Sequence, residues 1–226
     1  MPAGRLTLVL GGARSGKSRW AEELAERAAR ERGEGGSVVY MATAEVGDEE
    51  MAARVRRHQA RRPAHWRTVE APRETARVLA GLPAGAGAVL VDCLTLFISN
   101  WLLAYEREHS GDALIDAVLA RVAELVAAAR QVPCDVIIVS NEVGGGVVPA
   151  YPLGRLFRDA AGLANQMVAR AADRVYWVVA GIPIDARALD ARRLEGCGLG
   201  FGEPEPGGTC GAGGPGSAGG EGGDGP

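Results

Sequence analysis

Lysine is almost missing from this chain: among 25 basic residues in 226, Lys17 is the one lysine and the rest are arginine. A compact ammonium and a planar guanidinium are not interchangeable, so a solitary lysine marks a position that needs a point charge. Cysteine is scarce and scattered. Cys93, Cys134, Cys197 and Cys210 form no CxxC pair, which argues against a disulfide framework or a zinc site and suits a reducing cytoplasm. Long hydrophobic runs are absent as well: the longest apolar stretch, residues 89–103, is broken by Asp92 and Asn100, well short of a membrane span. The apolar run 6–10 after Arg5 is too short for a secretory signal and leads straight into Gly11 and Gly12, so a soluble, cytoplasmic protein is expected. Nor is there a basic excess. The net charge is −3, and residues 196–226 hold four acids and no base, which leaves 25 bases against 24 acids before them; nothing here points to a nucleic-acid binder.

What is present reads as one domain with an appendage. Compact apolar runs at 6–10, 38–41, 88–91, 136–139 and 175–179 have the character of buried parallel strands. Between them, helical patterns cover 18–32, 49–60, 73–79, 112–130 and 153–172. This alternation implies an α/β fold, a parallel sheet with helices on both faces. Residues 1–190 are assigned to that domain. Residues 191–226 are assigned to a disordered Gly/Pro-rich acidic tail, because a segment this rich in glycine buries too little apolar surface to offset its ordering entropy.

The segment Gly11, Gly12, Ala13, Arg14, Ser15, Gly16, Lys17, Ser18 fits GxxxxGK[ST] and lies between a strand-like and a helix-like run, the context that a P-loop requires. The glycines let successive N–H groups turn toward phosphate oxygens at a helix N-terminus, where the helix dipole also favours negative charge. Lys17 is expected to reach the β- and γ-phosphates and Ser18 to ligate Mg²⁺. A plain glycine turn at a helix start is the bland alternative, and the placement of the single lysine argues against it. Asp92, at the end of the run 88–91, is the natural second metal ligand, with a helix N-cap as its alternative role. Glu142 stands at an equivalent strand end, and either acid is a candidate for the metal or the acceptor hydroxyl.

On the helical pattern 49–60, Arg54, His58, Arg61 and Arg62 share roughly one face. A neutral imidazole among guanidiniums can attack phosphorus while the arginines stabilise the developing charge. Spacing alone leaves open a solvated arginine-rich face, since Met51 and Val55 align with His58 too. His65 reads as a surface or packing residue in a turn, and His109 as an exposed loop residue.

These pieces together resemble a known family. The P-loop, then Tyr40-Met41-Ala42-Thr43-Ala44, then Met51-Ala52-Ala53-Arg54 leading to His58, then Arg62-Pro63-Ala64-His65-Trp66-Arg67-Thr68-Val69-Glu70 are similar to the bifunctional adenosylcobinamide kinase/adenosylcobinamide-phosphate guanylyltransferases of cobalamin biosynthesis. So are Asp92-Cys93-Leu94-Thr95 with Asn100, Ser140-Asn141-Glu142-Val143-Gly144, and Arg155-Leu156-Phe157-Arg158-Asp159 with Asn165 and Gln166. The resemblance covers residues 6–184. It implies a P-loop NTPase fold of RecA-like type and two reactions: ATP or GTP phosphorylates adenosylcobinamide, and GTP then passes GMP through a histidine to the cobinamide phosphate, giving adenosylcobinamide-GDP. His58 matches the guanylylated histidine. The P-loop, Ala42, Thr43, Ala44, Gln59, Ala60, Arg61, Arg62, Glu70 and Asp92 match nucleotide-binding positions. The resemblance also implies a homo-oligomer, often a trimer, to which the run 96–103 is a candidate contributor if it is not core, and a histidine helix that swings toward the α-phosphate, with 34–37 and 46–47 as candidate hinges. Two departures are the tail and Asp92, which stands where a glutamate also occurs. A monofunctional P-loop kinase and a nucleotide-hydrolysing switch protein are the alternatives, and the absence of an NKxD motif counts against a Ras-like switch.

Overall fold

A computed structural model describes residues 4–33, 36–45, 49, 56, 59, 62–82 and 85–191. The chain divides into two units, Met1–Leu189 and Asp190–Pro226. Only Asp190 and Ala191 of the second are described, so all of the expected tail after its first residue lies outside the described residues, as do the candidate hinge positions 34–35 and 46–47.

Within the first unit the described elements run β1 (Leu6–Gly11), α1 (Lys17–Glu31), β2 (Ser37–Ala42), β3 (Arg67–Glu70), α2 (Thr75–Ala80), β4 (Ala86–Asp92), α3 (Leu94–Tyr105), α4 (Gly111–Gln131), β5 (Asp135–Asn141), α5 (Pro152–Ala171), β6 (Arg174–Val179) and β7 (Ile182–Asp185). They build a seven-stranded sheet in the order β3-β2-β4-β5-β1-β6-β7. All neighbours are parallel except β6 and β7. The expected α/β sheet is therefore present, with three additions. β3 is a polar edge strand, three of its four residues exposed, and β7 is a four-residue strand carrying a proline. Helix α3 is apolar nearly all round, so it shows no amphipathic period; Leu94, Phe97, Ile98 and Leu102 are buried. The run 96–103 is thus largely core, although Leu103 stays exposed.

Strand side chains alternate between two cores. Leu6, Leu8, Val89, Val91, Val136 and Ile138 point toward α2–α5, whereas Val9, Ala88, Leu90, Ile137 and Val139 point toward α1. Burying each of the valine, leucine and isoleucine side chains contributes ~1.5–3 kcal/mol. Helix α1 presents Ala21, Leu24, Ala25, Ala28 and Ala29 to the sheet, a stripe of helical period made mostly of the smallest apolar residue. Small residues are needed here. A Cβ on Gly87 would fall 2.9 Å from Ala29 Cα and 3.0 Å from Gly36 Cα, so helix and strand approach almost backbone to backbone. Proline at the first turn of α5 presets its start, and α4 carries Asp112 early and Arg130 late, as the helix dipole favours.

Strands β1 and β5 are neighbours, but the helices that follow them, α1 and α5, cover opposite faces. Such a divergence opens a crevice past the C-terminal ends of the strands, where ligands of open α/β sheets bind.

Candidate nucleotide site

Strand β1 ends at Gly11 and helix α1 starts at Lys17, so the loop bridges them in five residues. It manages this with left-handed backbone at Arg14 (φ 57°) and Gly16 (φ 95°), and with Ser15 N–H donating to Gly12 O at 3.3 Å. Its base is gripped from both sides. Glu142 N–H donates to Gly11 O at 3.2 Å, and Gly181 N–H, from the turn between β6 and β7, donates to Ser15 O at 2.8 Å. A Cβ on Gly11 would sit 2.4 Å from Ser15 Oγ and 2.7 Å from Val178 O, so this position accepts only glycine. Gly12, Ala13, Arg14 and Gly16 face solvent, while Ser18 is half-buried. Lys17 folds back into the loop, 9% exposed, with Nζ donating to Gly12 O at 3.1 Å. The result is a ring of backbone at a helix N-terminus with an ammonium inside it, the arrangement that receives a polyphosphate.

A second group of residues lies along the sheet edge. Ala42 is in register with Glu70 on one side and Asp92 on the other, so three of the expected site positions end neighbouring strands in one row. Asp92 is half-buried and accepts a hydrogen bond from the Tyr40 hydroxyl at 2.7 Å. Glu70 is exposed. Thr43 is wholly buried; its hydroxyl donates to Cys93 O and accepts from Cys93 N–H, both at 2.7 Å. Thr43 O accepts from Asn100 Nδ2 at 2.8 Å, and Asn141 Nδ2 donates to Thr95 Oγ1 at 2.8 Å. Thr43 therefore shapes this edge from beneath, with half-buried Ala42 and Ala44 on either side of it. Asn100, Thr95 and Asn141 also belong to this support. Sequence reading singled them out only through the resemblance, because polar residues at strand ends and inside an apolar helix carry no period of their own.

The network brings the two groups of residues together. Burial, and after it the Asp92 charge, push the Cys93 thiol up to about 11, and the Lys17 ammonium is close enough to pull the other way. Cys93 in the folded protein is accordingly expected to resist iodoacetamide at pH 8 and to react once denaturant is added, which peptide mass spectrometry reads directly.

Asp92 and Ser18 are hard oxygen donors of the kind that suits Mg²⁺. Among the described residues no three His, Cys, Asp or Glu cluster as a metal cage, so such an ion would take its remaining ligands from phosphates and water. Glu142 is exposed and its carboxylate accepts from Gly144 N–H at 2.7 Å, which leaves Asp92 the better placed of the two acids.

The histidine helix is described only in part. Glu49, Arg56 and Gln59 are helical and exposed; Arg54, His58, Ala60 and Arg61 lie outside the described residues. Arg62 is half-buried, with its guanidinium carbon 3.4 Å from the centroid of the Tyr40 ring. His65 pairs with Glu26 of α1 at 2.9 Å, and Trp66 Nε1 donates to the same carboxylate; His65 is exposed, so of the expected surface or packing roles it has the surface one. His109 is exposed. An open groove of about 900 Å³ runs along α1 between Arg19, Glu23, Arg27, Arg30, Pro63 and Trp66. Its wall alternates acids and arginines as a solvated helix face does, and no residue of the loop lines it.

The cobinamide kinase / cobinamide phosphate guanyltransferase family, CobU, matches residues 7–186. The chain belongs to this family. The match to the cobinamide kinase / cobinamide phosphate guanyltransferases runs from β1 to β7 and so takes in the whole sheet. Relatives agree. The bifunctional adenosylcobalamin biosynthesis protein CobU of Salmonella typhimurium is 42% identical over 184 residues, 79% of this chain and 98% of the relative. CobP of Pseudomonas aeruginosa, described in the same words, is 45% identical over 177 residues, 78% of this chain and 94% of its own. CobU of Escherichia coli K12 is 41% identical over 184 residues, again 79% and 98%.

Proposed function

We propose that this chain carries out both reactions of its family, the phosphorylation of adenosylcobinamide and the transfer of GMP from GTP to the resulting phosphate. The observation that carries this reading is the loop itself: a closed backbone ring with Lys17 folded inside it, next to a row of strand ends that terminates in Asp92. In the kinase step the loop N–H groups and Lys17 hold the β- and γ-phosphates of ATP or GTP, so that charge developing on the transferred phosphoryl group meets donors already in place. Ser18 and Asp92 would hold Mg²⁺, which when bound offsets phosphate charge. In the second step His58 acts as nucleophile through its free imidazole nitrogen. The bond from that nitrogen to the α-phosphorus forms as the bond to pyrophosphate breaks; the cobinamide phosphate oxygen then attacks the same phosphorus and frees the histidine. Ala42, Thr43, Ala44, Gln59, Ala60, Arg61, Arg62 and Glu70 belong to the guanine-nucleotide site in this reading.

The deciding experiment incubates the protein with Mg²⁺ and GTP radiolabelled on the α-phosphate, then denatures it. Wild type is expected to retain acid-labile, base-stable label, and His58→Ala to retain none. A wild type that binds GTP and stays unlabelled would reduce the function to a kinase.

Two further proposals stand beside it, the first from the scattered cysteines and the second from the resemblance. The chain works in the cytoplasm; among the described residues no helix is long and apolar enough to cross a membrane. It also self-associates, and Leu103, Trp177 and Ile182 are exposed apolar side chains available for that purpose; sedimentation velocity measures the assembly directly.

A further inference from the structure

Tyr40 lies in β2, between β3 and β4, in register with Thr68 on one side and Leu90 on the other. It is 3% exposed, and an aromatic ring so placed is ordinarily core. Its two polar contacts are not those of a core residue. The hydroxyl donates to Asp92 Oδ2 at 2.7 Å, and the ring face carries the Arg62 guanidinium at 3.4 Å, with the Trp66 ring 6.3 Å away. Arg62 in turn donates from Nη1 to the Thr68 hydroxyl at 3.2 Å, and its backbone N–H donates to Gln59 O at 3.1 Å. Gln59 is the residue after His58 in the sequence.

We propose that Tyr40 is a positioning residue, one side chain that sets the Asp92 carboxylate with its hydroxyl and anchors, through Arg62, the end of the segment carrying His58. This rests on the two-reaction reading above. The chemistry of the three groups supports it. A phenol that donates to a carboxylate fixes which oxygen is left free for another ligand, and it does so without adding charge. Arg62 also interacts with the hydroxyl, but a guanidinium over a ring is held by the ring quadrupole and by stacking as well, and a phenylalanine ring keeps both. The two functions therefore separate by substitution.

Tyr40→Phe keeps the ring and removes the donor. It is expected to raise the Mg²⁺ concentration needed for half-maximal binding of a fluorescent GTP analogue about tenfold, the worth of one hydrogen bond to a carboxylate, while covalent labelling at saturating Mg²⁺ stays within about twofold of wild type. Tyr40→Leu removes both contacts. It is expected to show the same Mg²⁺ shift and, in addition, labelling slowed about tenfold even at saturating Mg²⁺. Arg62→Gln, with Tyr40 intact, is expected to slow labelling without the Mg²⁺ shift, and combining it with Tyr40→Leu adds little further slowing. If Tyr40→Leu fails to fold in a thermal melt, Phe and Arg62→Gln carry the test between them. Phe and Leu variants that behave alike, or an unshifted Mg²⁺ requirement in Tyr40→Phe, would overturn the assignment. A wild type that never labels refutes the guanylyl transfer and the Arg62 half of this assignment, whereas the Mg²⁺-dependent binding of Tyr40→Phe still decides the Asp92 half.

Discussion

Lys17→Ala is expected to slow both transfers at least about a hundredfold and to leave the protein folded. The two halves of that expectation have separate causes. Lys17 is buried within the loop, where a charge is costly to keep; its Nζ donates to the carbonyl of Gly12, a group that faces solvent and can bond water instead. Removing the ammonium leaves that carbonyl with the Ser15 N–H as a donor and relieves a buried charge, so the fold is retained. In the nucleotide complex no substitute exists. The other basic residues are all arginine, and a planar fork does not replace a point charge at the end of a flexible stem. Turnover measured beside a thermal melt distinguishes this from general damage: a variant that loses activity in proportion to its melting temperature would contradict it.

Thr43→Val produces the opposite pattern, a large loss of stability from a change of a single atom's chemistry. Valine matches threonine in shape, but the hydroxyl it removes both donates to Cys93 O and accepts from Cys93 N–H at a wholly buried position. Cys93 O keeps the Phe97 N–H as a donor at 3.1 Å, but the buried Cys93 N–H is orphaned, which costs ~1–3 kcal/mol and for a domain of this size lowers Tm by roughly 2–12 °C. Thr43→Ser, which keeps the hydroxyl and loses a methyl group, is expected to fall well short of that. Equal losses in the two variants would show that packing, and not the hydrogen bonds, holds the turn after β4.

The contrast between these residues also explains what could be read in advance. The loop was legible because its chemistry is local: eight consecutive residues between a strand and a helix state the motif, and a lone lysine marks its centre. Four of the five long strands were legible because burial on both faces writes them as nearly unbroken apolar runs, and β6, exposed at Arg174, Trp177 and Val179, was legible from its apolar composition alone. β3 and β7 were not, since an edge strand of four residues that is half polar has the composition of a loop until a neighbour supplies its hydrogen bonds. Helix α3 was missed for the converse reason, as apolar residues on nearly every side erase the period that identifies a helix. The row formed by Glu70, Ala42 and Asp92 is a matter of register between strands distant in sequence, and nothing local encodes it. Tyr40 stood inside a segment that resembled the family, yet its contacts with Asp92 and Arg62 come from two other parts of the chain.

The turn between β6 and β7 has a bearing on how the protein is made. Its Gly181 N–H donates to Ser15 O, and a Cβ on Gly16 would lie 3.1 Å from Gly181 Cα. The phosphate cradle, encoded at the start of this domain, is thus completed by nearly the last of the described residues. Its central strand, β1, likewise waits for β5 and β6 as flanking partners. During translation the nascent chain carries the whole nucleotide motif well before it can hold a nucleotide firmly, and contacts this distant in sequence are slow to form. Ligand capture in the cell is therefore a late event, one that reports on the arrival of the far end of the domain.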